Sequence, residues 1–335
     1  AHAPRPAARC FGGAGAGGLV GPARSLTIVR LDNGEVLRSF RGDPAEGPPG
    51  LAGRVSPAPF DAPITGAPVA YPSQPGQIAD RIYVGDADGA LWRIDVASPD
   101  PTQWTAALAW DAYSLPGDGP AVGQPIDTPP IVSVGPLGDP VILLSTGDQQ
   151  AFTASGDLDT RLFALSESRE GSAVRVSGLW HRQFTGGARV TGPISLFDGV
   201  AYFATFTPST GGAAQCNDGL GAIWALDWLT GGPRLPSAAD PTVLVEREDQ
   251  APGTVVFGVA VTQTPPCYEE ATVASPWLGP IRLLQGIAAA RFQLVYHTGA
   301  AGPDDEQGAK TRSTTRALPP LPSGASLGSW ASVMD

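Results

Sequence analysis

Carboxylates at alternate positions are the densest chemistry this chain offers. Asp86 and Asp88 flank the turn of residues 80–95, Asp-Arg-Ile-Tyr-Val-Gly-Asp-Ala-Asp-Gly-Ala-Leu-Trp-Arg-Ile-Asp, and Asp157 and Asp159 repeat the spacing just before the Leu162 strand. Pairs of this kind supply hard oxygen ligands for calcium, and Asp148 is the nearby carboxylate that would have to converge on the second pair. Turn chemistry explains both pairs more simply, because an Asp side chain accepts hydrogen bonds from the backbone two residues on. On that reading no metal ligand is assigned, and Asp304-Asp305-Glu306 is a solvated acidic loop.

Nucleophilic and general-base chemistry has less to work with. The three histidines are His2 at the chain start, His181 in a Trp-His-Arg strand and His297 at a strand end. Neither a Gly-x-Ser-x-Gly elbow nor a His-Glu-x-x-His helix occurs, so no catalytic or cofactor-binding residue is assigned and the chain is read as a non-enzyme. Arg41-Gly42-Asp43 is an integrin-type tripeptide in a Gly/Pro-rich stretch, where ordinary turn formation also accounts for it. Three cysteines, Cys10, Cys216 and Cys267, leave at least one thiol unpaired within the chain.

The elements that must position these residues are short strands. With 43 Gly and 35 Pro in 335 residues, the composition suits many strands joined by tight turns rather than a helical bundle. Residues 80–95 read as a β-hairpin, with Ile82 and Val84 alternating with Tyr83 in a half-buried strand, a two-residue Asp88-Gly89 type I′ turn, and Leu91-Trp92-Arg93-Ile94 returning. Comparable units centre on Leu31, Ile94, Leu165 and Leu226, roughly 60 to 70 residues apart, longer than a compact propeller blade. The expectation is an all-β, quinoprotein-like β-propeller of four-stranded blades with long loops, in one domain over 1–335 or the C-terminal part of one. Blade anchors fall near 26–40, 82–108, 141–184, 193–231 and 254–297, a partial ring of about four or five blades, with 299–323 mobile.

Charge and hydropathy exclude other classes. A net charge of −11 disfavours a nucleic-acid partner, and the most apolar stretch, 281–295, is broken by Arg282, Gln285 and Arg291, so no membrane span is expected. The start Ala-His-Ala-Pro, without Met, suggests a processed or excised piece.

The wording of several segments, in order, carries a resemblance. Tyr83-Val-Gly-Asp-x-x-Gly-x-Leu-Trp-Arg-x-Asp95, Pro125-Ile-Asp-Thr-Pro-Pro-Ile-Val132, the 141–148 strand with Ser145-Thr-Gly-Asp148, Val190-Thr-Gly-Pro193 through Phe203-Ala-Thr-Phe-Thr-Pro208, and Cys216 before Ile223-Trp-Ala-Leu-Asp227 resemble the C-terminal β-propeller of the PilY family of type IV pilus tip-associated adhesin and biogenesis proteins. The resemblance covers most of residues 24–270. It implies a secreted protein at the cell surface that supports pilus assembly and adhesion through contacts with minor pilins, other pilus-tip proteins or the N-terminal part of the same protein. That location would allow a Cys216–Cys267 disulfide, with two reduced thiols as the alternative; Cys10 would then be free or paired elsewhere. The family carries an Asp-x-Asp-x-Asp-Gly-x-x-Asp calcium loop before the Tyr-Val-Gly-Asp strand. Here the corresponding 71–80 segment keeps only Asp80, so no calcium is expected there and no cofactor elsewhere is assigned, Asp157, Asp159, Asp86 and Asp88 being the residual candidates. The alternatives to a pilus-tip role are a quinone-dependent oxidoreductase-like propeller, suggested by Trp-x-x-Asp strands such as Trp92 to Asp95, and a structural subunit of another extracellular filament.

Overall fold

A computed structural model describes residues 8–12, 24–43, 50–51, 53–72, 77–114, 123–150, 159–171, 173–209, 219–264, 268–275, 279–287, 291–300 and 310–318. The first sheet holds β1 (Ala8–Gly12), β2 (Ser25–Arg30), β3 (Val36–Arg41) and β4 (Val55–Pro57), in that order. The second is an antiparallel meander of β5 (Val69–Tyr71), β6 (Arg81–Gly85), β7 (Ala90–Asp95) and β8 (Thr105–Asp111), and the third repeats it with β9 (Ile131–Val134), β10 (Pro140–Ser145), β11 (Thr160–Glu170) and β12 (Ala173–Phe184). In the fourth, β13 (Arg189–Val190) and β14 (Ser195–Phe197) share one edge of β15 (Val200–Thr207), which pairs with β16 (Leu220–Asp227). A small pair, β17 (Leu235–Pro236) and β18 (Leu244–Val245), precedes β19 (Arg247–Asp249), which completes that sheet on β16. The fifth layer consists of β20 (Thr254–Thr264), β23 (Arg291–Ala300) and β24 (Lys310–Ala317), with the hairpin of β21 (Tyr268–Ser275) and β22 (Gly279–Ile287) between them in sequence. One parallel pair, Leu220 with Thr254, joins it to the fourth sheet. The fold is all-β and propeller-like. Among the described residues no helix is long and apolar enough to cross a membrane, which says nothing of a β-barrel.

The period of two along a strand explains how the layers stack. Successive side chains point to opposite faces, so one strand can serve two cores. Ile82, Val84, Trp92 and Ile94 pack with Leu26, Ile28, Phe40 and Phe60 beside the first sheet, while Tyr83 and Leu91 pack with Ile142, Leu144, Phe163 and Leu165 of the third. Leu143, Leu162 and Ala164 turn the other way, onto Phe203, Ala222, Trp224 and Leu226 of the fourth sheet. The fourth sheet's reverse face, Val200, Tyr202, Ala204 and Ile223, meets Val256, Val259, Leu294 and Tyr296 of the fifth layer.

This arrangement corrects the expected half-buried strand. All five residues of β6 are buried, because a sheet lies against each of its faces. A strand covered on both sides reads as a continuous apolar run, and Val141-Ile142-Leu143-Leu144, none more than 3% exposed, is the clearest case. The turns also differ from expectation. Asp198-Gly199 is the two-residue type I′ turn, with φ of 50° and 70°, whereas at 88–89 only Gly89 has positive φ, at 95°. Asp86 N–H donates to Ala90 O (3.1 Å), so Ala87-Asp88-Gly89 is a three-residue loop ending in a left-handed glycine. Leu31, expected at a blade centre, sits 58% exposed in the β2–β3 turn. Within the stretch expected to be mobile, residues 310–317 form β24, held by the β23 ladder and by Arg316, which pairs with Glu248 Oε2 at 2.6 Å.

Polar contacts bind the layers where apolar packing ends. Between the second and third sheets Glu167 of β11, 1% exposed, accepts from Tyr83 Oη (2.5 Å), Arg93 Nε (2.8 Å) and Arg81 Nη1. Both arginines are themselves buried; Arg81 Nε also donates to Asp80 (2.8 Å) and Arg93 Nη1 to Asp95 (3.2 Å). Burial, with the Glu167 charge added, holds the Tyr83 hydroxyl well above the usual phenol range, so it stays a donor. Arg182 with Glu246 (2.6 Å) and the Trp180 indole donating to Trp228 O (3.1 Å) tie the third sheet to the fourth.

Two stability outcomes follow. Phe203, fully buried and stacked on Trp224 at 5.7 Å, should cost about 3–5 kcal/mol when cut to Ala, against less than about 0.5 kcal/mol for Leu137→Ala at a 92% exposed turn position. Glu167→Ala strands two buried guanidinium groups and should cost about 3–5 kcal/mol, while Arg175→Ala, at an exposed ion pair with Glu170, should change little. Urea unfolding followed by tryptophan fluorescence measures all four.

Candidate functional site

The second hairpin concentrates the polar chemistry of the described residues. Its base, Arg81, Tyr83 and Arg93, is taken up by Glu167. Its tip, residues 86–89, lies where three stretches of chain meet. Asp86 bridges Ile64, Ala87 N–H donates to Pro63 O (2.8 Å), Ile126 N–H donates to Asp86 O (2.9 Å) and Ala112 N–H donates to Gly89 O (3.0 Å). A Cβ on Gly89 would fall 2.7 Å from the Tyr113 ring, so both the left-handed φ and the crowding call for glycine. The tip has the turn chemistry expected from the sequence and is in addition clamped, because the flanking segments fold over it.

Asp86 is fully buried. Its Oδ1 accepts from Ala90 N (2.8 Å) and Asp88 N (3.3 Å), and its Oδ2 accepts from the Trp92 indole (2.7 Å). Trp92 in turn packs edge-on against Phe60, with ring centroids 5.2 Å apart. Asp61, 25 residues upstream of Asp86 and unremarkable in the sequence, brings a third carboxylate, and one oxygen from each of Asp61, Asp86 and Asp88 lies within 4.8 Å of the others. Among the described residues none of the three forms an ion pair. Burial, then the contact with the Asp88 carboxyl, pushes Asp86 up to about 8, against the opposing pull of the Trp92 and Ala90 N–H groups. Because both Asp86 oxygens already serve the backbone and Trp92, its first role is to cap the loop and orient the indole.

The other candidate residues are not brought together. Asp159 accepts from Gln183 Nε2 (2.5 Å) through its carboxylate and from the Tyr113 hydroxyl (3.1 Å) through its carbonyl, and Asp148 Oδ1 accepts from Gln150 N (2.6 Å). Asp157, Cys216 and Cys267 lie outside the described residues, as does 73–76 of the 71–80 segment; Cys10 lies on β1 opposite Ile28. The carboxylate kept by that segment, Asp80, is paired with Arg81. Of the Arg41-Gly42-Asp43 tripeptide, Arg41 is the last residue of β3, 8% exposed with its Nε on Ser39 Oγ (3.2 Å), and only Gly42 and Asp43 reach the surface. His181 is exposed on β12 with its ring 5.8 Å from Phe163, and His297 is exposed on β23.

Sequence reasoning passed over Glu167 and the two arginines. A signal was present: Phe163, Leu165 and Glu167 share one face of β11, as Arg81 and Tyr83 share one face of β6, so parity alone puts these polar groups beside buried apolar ones. Asp61 carried no such signal.

No family model matches this sequence, and no curated protein sequence matches it. Among solved structures, the C-terminal domain of PilY1 from Pseudomonas aeruginosa is similar to this chain, with 14% sequence identity, 79% of this chain and 67% of that chain covered, and a TM-score of 0.48.

Proposed function

We propose that the protein is a non-enzymatic, extracellular component of a type IV pilus tip, supporting pilus assembly and adhesion through protein contacts. The observation that carries this reading is the ordered set of motifs resembling the PilY propeller, from Tyr83-Val-Gly-Asp86 through Ile223-Trp-Ala-Leu-Asp227. The use of the buried polar groups supports the non-enzymatic part: Glu167, Arg81, Arg93 and Asp86 are engaged in holding sheets and turns. Contact surfaces would then come from loops and sheet edges positioned by the stacked sheets. One such edge is β12, twelve residues long, paired only with β11 among the described residues and largely exposed. Minor pilins, another pilus-tip protein or the N-terminal part of a longer chain could add a strand there.

The test is co-purification of this chain with minor pilins expressed in the same cells. Retention of a minor pilin through washing is the expected result. Loss of all association, together with a bound quinone in the absorption spectrum and turnover of a quinone-dependent substrate, would replace this reading with the oxidoreductase one. Repeated copies along a fibre under the microscope would instead favour a filament subunit.

A further inference from the structure

The indole lock at Asp86 has a counterpart in the fourth sheet, and the third sheet keeps the corresponding polar slot with an alanine in place of the indole. Trp92 lies opposite Val84 and bonds to residue 86, two positions further on; Trp224 lies opposite Phe203 and bonds to Thr205 Oγ1 (2.9 Å), again two positions on. In the third sheet Ala164 lies opposite Leu143, and the residue two positions on is Ser145, whose Oγ is 2.8 Å from Thr128 Oγ1. All three slots are buried, at 0%, 2% and 3% exposure. Two hold a hydroxyl, whose bonding does not change between about pH 4 and 9. The slot in the second sheet holds a carboxyl.

The charged groups that converge on that carboxyl are acidic, while Arg161, on the Tyr113 side, donates to Ala112 O (2.7 Å) and lies over the Tyr113 ring (4.9 Å). Asp88 faces it from its own loop, and Asp61 from the stretch carrying Pro63 and Ile64. On the third stretch, Asp127 is turned away to accept from Gln149 N (2.9 Å). Tyr113, packed on Gly89, shares its hydroxyl with Thr146, and Arg93 of β7 is directed at Glu167. Among the described residues no cation answers the three carboxylates. Ionising Asp86 here places a charge in a dry site beside two like charges.

We propose that Asp86 is a proton-gated latch: neutral, it holds the loop and the Trp92 indole together beneath the three stretches clamped over the tip; ionised, it repels Asp88 and Asp61 and lets the tip loosen. The proton is exchanged with water, and no other reactant takes part. A carboxyl whose pKa is raised on folding keeps its proton in the folded state above the pH at which the unfolded chain releases it. Its stabilisation is complete below the unfolded value of about 4 and is lost as pH rises to about 8, by up to about tenfold in the folded-to-unfolded ratio per pH unit. In the folded chain the latch stays closed through that window and opens as pH passes about 8.

The experiment follows the Trp92 indole N–H signal by 15N NMR, and the melting temperature, from about pH 4.5 to 9, in the full chain and in Asp86→Asn and Asp86→Thr variants. A single titration of the Trp92 signal in the parent chain, abolished in both variants, is expected, with melting temperature falling across the range more steeply in the parent. Asp61→Asn should move the titration to lower pH without removing it. A Trp92 signal that does not titrate in the parent chain, or that titrates equally in Asp86→Asn, overturns the proposal. Should the variants fail to fold, the titration of the parent signal and its shift in Asp61→Asn decide the matter.

Discussion

A sheet with another sheet against each face has no side left for water, and every side chain along its central strands must be satisfied by packing or by hydrogen bonds. That constraint governs the second, third and fourth sheets here, whose strands alternate between one core and the next. It explains why β6 carries a tyrosine with its hydroxyl on a carboxylate, and why the arginines of β6 and β7 reach for Glu167 rather than solvent. A polar group left unpaired at such depth would cost on the order of 1–3 kcal/mol or more. The polar contacts between layers are thus consequences of the stacking as much as contributors to it.

The two ends of the second hairpin meet this constraint in opposite ways. At the base, cations and anions alternate, Asp80 with Arg81, Arg81 with Glu167, Glu167 with Arg93 and Arg93 with Asp95, so each buried charge has a partner of opposite sign. At the tip, three groups of the same sign converge with neutral donors alone. In the matched network the Glu167 charge favours the charged form of both arginines. A like-charged cluster does the reverse, and its neutral member is the one with least access to water. The hairpin is therefore fixed at one end and proton-dependent at the other.

Much of this is legible in the sequence and some is not, for identifiable reasons. Hairpins are local, so Asp198-Gly199 announces its turn, and the apolar wording of 141–144 announces a strand. The turn at 86–89 departs from expectation by one residue because Asp88-Gly89 fits a two-residue turn as well as the end of a three-residue one, and only the Asp86–Ala90 bond distinguishes them. Burial on both faces is not a property of one strand, so Tyr83 and Arg81 look like the outward half of an alternating pattern. Likewise Asp61 reaches Asp86 through the path of the chain over the hairpin tip, which no local pattern encodes.

The same stacking bears on how a partner strand could dock. Once the faces are occupied by neighbouring sheets, backbone groups at the sheet edges are what remains for pairing, and β12 presents the long exposed edge of the third sheet. Its register breaks between Gly178 and Trp180, where Leu179 is the extra residue and stands 43% exposed. A bulge bends a strand and interrupts its ladder, which is one way edges resist indiscriminate addition. A strand added along β12 would run in register over 173–178, meet the break, and have to accommodate Leu179 before continuing to Phe184. An extended segment with a small residue facing Leu179 would pass that point, whereas a uniformly bulky one would stop there. Selectivity at this edge would then come from the bulge, and affinity from the backbone bonds on either side.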